Sequence, residues 1–373
     1  MTVSRPTIFI LDGSVAVTGA FISARDMARA LRGEADVILL LPDTANIPLS
    51  ELADFAAVHR LTIRPLRRSP AAVALYLPHL ARATLQLHRQ MAARRSAALL
   101  VNDFYLIQGP LLRILGHRGP ILTWVRIDPA AFGRMGRVWL ALSSRLSDAL
   151  VAVSRHVQGL LPTGMHSRLL YDPVSAEFLP DDPAPRPIGT REFVFLGNYI
   201  EGKGQDLALE AFARLLPDVP QARLRFHGGD MGLDRNRAYR RALEARAASL
   251  GIVGAVTFGD FAADPRAVLA GAFAALNLSR SESFSRTVLE ASACGLPVIS
   301  TRSGGPAEIL VDGESGLMIP VGDVAACAEA MRALCDDPAR AARMGAAGRA
   351  RVLATFAPED FARALRSLIT ETP

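Results

Sequence analysis

Two glutamates eight residues apart, Glu282 and Glu290, bracket a short polar loop in the stretch SRSESFSRTVLEASACGLPVIST, Ser279 to Thr301. The apolar spacing predicts a helix carrying Val288, Leu289 and Ala291, then a Gly295-Leu296-Pro297 turn and a β-branched strand at Val298-Ile299. The backbone amides of Phe284, Ser285 and Arg286 then fall at a helix N-terminus, where unpaired N–H groups and the helix dipole bind anions. A second chemical signal is a lone lysine. Of 42 basic residues only Lys203 is not arginine, which suggests a position that needs a compact ammonium rather than a planar fork.

The elements around these residues read as alternating strands and helices. Apolar runs at Thr7–Leu11, Val37–Leu41, Ala97–Val101, Ile121–Val125 and Ala149–Val153 are separated by helical patterns, among them Phe21–Leu31 and Tyr76–Arg94. Further strands are expected at Phe193–Leu196, Arg223–Phe226, Val256–Phe258 and Ala274–Leu278, with closing helices over Asp323–Leu353 and Pro358–Ile369. Continuous apolar strands between helices predict parallel, doubly wound sheets. Such sheets gather ligand groups just beyond the strand carboxyl ends. The proline-rich PDDPAPRPIGTR, ending at Arg191, reads as a linker. It divides the chain into 1–183 and 184–357.

The Glu-x7-Glu spacing followed by Cys294-Gly295-Leu296-Pro297-Val298 resembles the retaining glycosyltransferases of family 4. The resemblance implies an α/β fold of two Rossmann-like doubly wound domains facing a central cleft, the GT-B architecture, with the last helix, about 358–373, packing back on the first domain. It implies that Glu282 meets hydroxyls of a donor sugar, that Glu290 binds the nucleotide ribose, and that the amides of Phe284, Ser285 and Arg286 hold sugar and diphosphate. Lys203-Gly204 matches the family's diphosphate-binding Lys-Gly, whereas Asn198 stands where an arginine is expected. Losing that charge-assisted contact costs about 1.5 to 3 kcal/mol unless Arg280, Arg286 or Arg302 replaces it. Gly259 lies in a segment resembling the base-binding turn. Gly19 either lines the cleft near the donor phosphate or serves an ordinary strand-to-helix turn. Ser303 to Ile309 also resembles a family segment, as a structural turn or as a phosphate contact through Gly304 and Gly305. After the strand of TWVRIDP the family has a sugar-contacting histidine; here Arg126 and Asp128 follow, and Asp128 is the acceptor-side candidate or a helix cap.

Composition sets outer bounds. With 373 residues and half of them apolar, the chain is long enough for two domains. Cys294, Cys327 and Cys335 show no Cys-x-x-Cys spacing, so neither a zinc site nor a disulfide framework is expected. Neither a signal peptide nor a membrane span is read from the sequence. Residues 1–180 hold 20 arginines against 12 acidic residues, and the stretch Arg60–Arg137 holds 13 against two. That field suits an anionic membrane surface or phosphorylated acceptor better than nucleic acid, for which no aromatic platform is present. In Tyr76–Arg94, Leu77, Leu80, Ala81, Thr84, Leu85 and His88 share one side, as a membrane contact or as a core face.

The expected function is metal-independent hexosyl transfer from a UDP- or GDP-linked sugar to a saccharide or lipid-linked acceptor in cell-envelope or exopolysaccharide synthesis. Lys203 and Glu282 are the catalytic candidates with Asp128, no further cofactor is implied, and the site is cytoplasmic or on the inner membrane face. The alternatives are a sugar-nucleotide epimerase of similar architecture and a non-catalytic nucleotide-sugar-binding partner subunit.

Overall fold

The computed structural model describes residues 5–64, 70–95, 97–179, 191–262 and 264–371, and side chains over the same ranges except 70–74. The chain divides into two compact units, Met1–Pro173 with Pro358–Pro373, and Val174–Ala357.

In the first unit seven parallel strands form one sheet: β1 (Thr7–Leu11), β2 (Asp36–Pro42), β3 (Ala57–Leu61), β4 (Ala98–Val101), β5 (Ile121–Val125), β6 (Ala149–Ala152) and β7 (Arg168–Leu169), in the order β3-β2-β1-β4-β5-β6-β7. Ile10 pairs with Leu39 on one side and with Leu100 on the other, so β1 is central. Its Phe9, Ile10 and Leu11 are fully buried, which is why the strand reads as an unbroken apolar run. The helix Gly19–Ala30 follows, started by Thr18, whose hydroxyl accepts from the Phe21 amide. The last helix, Pro358–Thr370, belongs to this unit; Arg366 donates to Glu34 at 2.9 Å and to the Ala30 carbonyl.

The second unit repeats the plan with six parallel strands: β8 (Arg191–Leu196), β9 (Ala222–His227), β10 (Val256–Gly259), β11 (Ala274–Asn277), β12 (Val298–Thr301) and β13 (Leu317–Ile319), in the order β10-β9-β8-β11-β12-β13. Phe193, Phe212 and Phe226 fill its core beside Leu209, Leu215 and Met331. In both sheets the strand order reverses beside the first strand, between β1 and β4 and between β8 and β11. Such reversals open a crevice at the strand carboxyl ends, because the connecting helices leave on opposite faces.

Three details differ from the sequence reading. Strands β3 and β13 were not singled out, being short runs interrupted by polar or sulfur-bearing residues, and the extended segment expected from Leu169 is a strand only at Arg168–Leu169. The helix expected over Asp323–Leu353 is two helices, Val324–Asp336 and Pro338–Thr355, because Pro338 lacks an N–H and Asp337 caps the second by accepting from the Arg340 amide at 2.8 Å. The proline-rich linker lies, Arg191 apart, outside the described residues, and so does the expected 183/184 boundary. The contacts divide the chain earlier, at Pro173–Val174: the Val174 amide donates to the Phe356 carbonyl at 3.0 Å, and Phe178 is buried.

Candidate functional site

The strand-order reversal in the second unit brings together the loops that leave β8 and β11. The first carries Lys203 between Gly202 and Gly204, whose φ values of +92° and +91° are left-handed. A Cβ on Gly204 would lie 2.1 Å from the Leu278 carbonyl oxygen, so only glycine lets this loop approach the end of β11. The second loop answers with Arg280 N–H donating to the Gly202 carbonyl at 2.9 Å. This backbone clasp sets the chemistry. Lys203 Nζ lies 2.7 Å from Glu282 Oε1, and the same oxygen accepts from Ser279 Oγ at 2.7 Å. Glu282 is largely buried while a third of the lysine faces solvent, so the ammonium is the accessible partner.

Glu282 is fixed through its backbone as well. Its amide donates to Ser303 O and its carbonyl accepts from Gly305 N, both at 2.9 Å, tying it to the turn after β12. A Cβ on Gly305 would stand 2.3 Å from Phe284 Cα, so this turn packs directly on the Phe284 backbone. Gly305 therefore has a structural reason to be glycine.

Ser285 caps the helix Arg286–Ala293 with φ +88°, one of two non-glycine residues with positive φ among those described. Such a conformation is strained for a side-chain-bearing residue and persists where neighbours over-determine it. Here they do: Ser285 Oγ accepts from Asn277 Nδ2 at 3.0 Å, and Asn277 also donates to Thr287 Oγ1 at 3.1 Å. The Ser285 cap follows Glu282, the partner of Lys203, by three residues in the chain, and Phe284 packs against Phe356 with ring centroids 5.6 Å apart.

Glu290 lies one turn further along and is buried. Arg286 Nε sits 3.5 Å from Glu290 Oε1, and Arg286 Nη2 donates to Ser175 Oγ at 2.8 Å. The Arg286 side chain is therefore directed to Glu290 and Ser175. Arg302 pairs with Asp312 at 2.6 Å. Of the three arginines suggested as replacements at position 198, Arg280 and Arg302 are exposed, and Arg280 lies 4.0 Å from Asp206. Asn198 itself orders the β8 and β9 loops: its Oδ1 accepts from the Gly229 amide at 3.0 Å and its carbonyl from Gln205 Nε2 at 2.9 Å. The Gly259 carbonyl accepts from the hydroxyl of buried Tyr199 at 2.7 Å, and its Cα faces the His227 ring. Burial pushes the Tyr199 phenol up to about 12, so it is a hydrogen-bond donor at neutral pH.

The first unit holds a different arrangement at its own strand-order reversal. Asp12, Asn102, Asp103 and Arg126, at the ends of β1, β4 and β5, are buried together with Asp172. Arg126 makes two bonds to Asp172, at 2.8 and 3.0 Å, and donates from Nε to Asn102 Oδ1 at 2.7 Å; Asn102 donates to Asp12 at 3.1 Å. Ser23 Oγ joins Asp172 at 2.7 Å. Desolvation pushes Asp103 up to about 7 against backbone donors and Arg126, which lower it, and it raises Asp12 as well. Asp128 lies outside this cluster and accepts from the Ala130 amide at 2.8 Å, a cap for the short helical turn Pro129–Phe132. Gly19 is the first residue of its helix, directly after the Thr18 cap.

Lys203 and Glu282 are thus brought together, with Phe284, Ser285 and Arg286 beside them. Glu290 is on the same helix behind them, Asn198 and Gly259 shape the neighbouring loops, and Asp128 and Gly19 belong to the other unit. Sequence reasoning missed Ser279 and Asn277, which orient the site through hydrogen bonds. Their only signal was a polar residue at the carboxyl end of an apolar strand.

The family model described as glycosyl transferases group 1 matches residues 182–351, which nearly coincide with the second unit. A GDP-mannose-dependent alpha-(1-6)-phosphatidylinositol monomannoside mannosyltransferase of Mycolicibacterium smegmatis is 36% identical over 269 residues, 65% of this chain and 67% of the relative. A lipopolysaccharide core biosynthesis glycosyltransferase, LpsE of Rhizobium meliloti, is 32% identical over 193 residues, so the chain spans about half of that relative's length (52%). Among solved structures, HepE of Anabaena in complex with UDP-glucose superposes with a TM-score of 0.82 over 98% of this chain and 100% of that one, at 18% identity. A sucrose-phosphate synthase from Thermosynechococcus elongatus gives 0.83 over 98% and 99%, at 21% identity. The fold is that of two parallel-sheet α/β domains, as in GT-B glycosyltransferases.

Proposed function

The chain belongs to the group 1 glycosyl transferases, and on that premise we propose that it moves a hexosyl group from a nucleoside-diphosphate sugar to an acceptor hydroxyl, with retention, in cell-envelope polysaccharide or glycolipid synthesis. The observation that carries the reading is the Lys203–Glu282 pair at the end of β8 and β11, beside the start of the helix Arg286–Ala293. A part-exposed ammonium and a helix N-terminus offer positive charge to a diphosphate, while a fixed carboxylate offers acceptors to sugar hydroxyls. In the reaction the bond from the anomeric carbon to the β-phosphate oxygen breaks, the acceptor oxygen bonds to that carbon from the same face, and the acceptor proton passes to the departing phosphate. Lys203 then stabilises charge as it develops on the leaving group, the kind of preorganised electrostatic term that dominates many such reactions. Glu290, buried and oriented by Arg286, suits the ribose hydroxyls. Asp128 has a capping bond in place, and we assign it at most an auxiliary acceptor-side role.

The relatives act in lipopolysaccharide core biosynthesis and on phosphatidylinositol monomannoside, which supports a saccharide or lipid-linked acceptor offered at the cytoplasmic face of a membrane. Among the described residues no helix is long and apolar enough to cross one. The test is calorimetric titration with UDP- and GDP-sugars followed by product analysis on saccharide and glycolipid acceptors. Binding of neither donor class would sink the reading, and conversion of the donor without any acceptor would mark an epimerase instead.

A further inference from the structure

The two helices Pro70–Met91 and Gly133–Leu146 in the first unit contain no acidic residue and five arginines: Arg82, Arg89, Arg134, Arg137 and Arg145. They meet at the Tyr76 and Trp139 rings, whose centroids are 6.1 Å apart. The core side of the longer helix is Ala83, Leu87 and Met91, with Thr84. The apolar residues on its other side face water. Leu77 is 68% exposed and Leu85 49%, and on the second helix Val138 is 51% exposed beside Met135. The side that the sequence reading grouped as one stripe is thus divided, with Thr84 inward and Leu77, Ala81 and Leu85 outward.

The arginines around this apolar surface have no acidic residue on either helix to pair with. Some arginines of the second unit are paired, as Arg246 is with Glu210 and Arg225 with Glu192, whereas the exposed Arg214, Arg235 and Arg241 are not, among the described residues. Among the described residues none of the five arginines of the two helices forms an ion pair, and Asp43, whose carboxyl feels Arg82, is bound by Arg64. Unpaired cations flanking exposed leucine and valine on acid-free helices fit a partner that is anionic at its surface and apolar just beneath. A second copy of this face would set arginine against arginine. A nucleic acid would meet the charge but leave the leucines in water.

We propose that this two-helix face docks on an anionic lipid bilayer, arginines among the headgroups and Leu77, Leu85 and Val138 at the acyl boundary. The inference rests on the glycosyl-transfer reading only for its purpose, which is to present the acceptor-binding unit to a lipid-linked acceptor.

The test uses the full chain with vesicles of phosphatidylcholine alone or mixed with phosphatidylglycerol, at low and high salt. The wild type is expected to sediment with the anionic vesicles only, and to be released by about 0.5 M salt, where the Debye length falls below about 5 Å. The combined Arg82→Gln, Arg89→Gln, Arg134→Gln and Arg137→Gln variant should lose about five-fold in partition coefficient per arginine. Leu77→Ser with Val138→Ser should cost about ten-fold while the salt dependence persists. Arg246→Gln, on the other unit, should change nothing. Equal binding to neutral vesicles, no binding, indifference to the four-arginine change, or preference for a DNA duplex over vesicles would each overturn the proposal. Donor titration of the same preparation separates the two readings: intact donor binding without vesicle binding removes the docking face alone, and the converse removes glycosyl transfer alone.

Discussion

Lys203 has two claimants, and that competition can be measured. In the structure its ammonium lies 2.7 Å from Glu282, whereas in the proposed reaction it serves the donor diphosphate. Lys203→Ala removes a charge-assisted phosphate contact of about 1.5 to 3 kcal/mol, which weakens nucleoside-diphosphate binding about 10- to 150-fold. Glu282→Gln acts in the opposite sense. It keeps the shape of the side chain but removes the charge that holds the ammonium. Because a third of Lys203 is exposed, the pair is discounted to about 1 kcal/mol, so free nucleoside diphosphate should bind up to about five-fold more tightly. Turnover of the nucleotide sugar should nevertheless fall, since a carboxylate on the sugar hydroxyls is lost. The double variant should bind like Lys203→Ala alone, because without the ammonium there is nothing for position 282 to release. Isothermal titration of all four proteins with nucleoside diphosphate, beside single-turnover assays with donor and acceptor, reads each corner of the cycle. The reasoning fails if Glu282→Gln weakens nucleoside diphosphate as much as Lys203→Ala does, or if Lys203→Ala binds normally.

Other expectations follow from the same geometry. Glu290→Ala should weaken nucleoside-diphosphate binding while leaving inorganic diphosphate unaffected, as competition titration would show; equal weakening of both would remove the ribose assignment. Ser285→Ala keeps the strained φ of +88° and loses the Asn277 bond, so it should destabilise by about 1 to 2 kcal/mol, and Ser285→Gly by less because glycine relieves the backbone; denaturant titration giving the reverse order would refute the strain argument. Gly305→Ala forces a Cβ onto the Phe284 backbone and should abolish donor binding, with crystallographic or exchange data showing the 284–286 turn displaced. Burial holds Asp103 at about 7, above its ordinary 3.8, so the folded chain retains that proton and this group's contribution to stability declines as pH rises from about 4 to about 7. Asp103→Asn should therefore gain stability relative to wild type across that window, by a few kcal/mol with about 4 as the upper bound. An unchanged difference between pH 4 and pH 8 would show that Asp103 titrates normally. Transfer activity should survive a chelator, since Lys203 and the helix start supply the positive charge; complete loss restored by a divalent cation would overturn metal independence.

By itself the sequence determined the continuous apolar strands and the kind of sheet they form. Thr7–Leu11, Ile121–Val125 and Phe193–Leu196 are continuous apolar runs, and a run buried on both faces is legible without its neighbours because burial requires it of every position. The Glu282 and Glu290 spacing, Lys203 and the Gly295–Pro297 turn were legible for the same local reason. Long-range pairing was not. That Lys203 reaches Glu282, 79 positions away, follows from β8 lying beside β11, and from the Gly204 to Leu278 approach that only a missing Cβ allows. Arg126 looked like a departure from a family histidine. Tertiary structure binds it to Asp172 across 46 positions, in a cluster no spacing announces. The helix Pro70–Met91 shows the limit most plainly: its two sides are similarly apolar, so periodicity identifies a helix without saying which side is core. That was decided by packing, which took Ala83, Leu87 and Met91 inward and left Leu77 and Leu85 to the solvent.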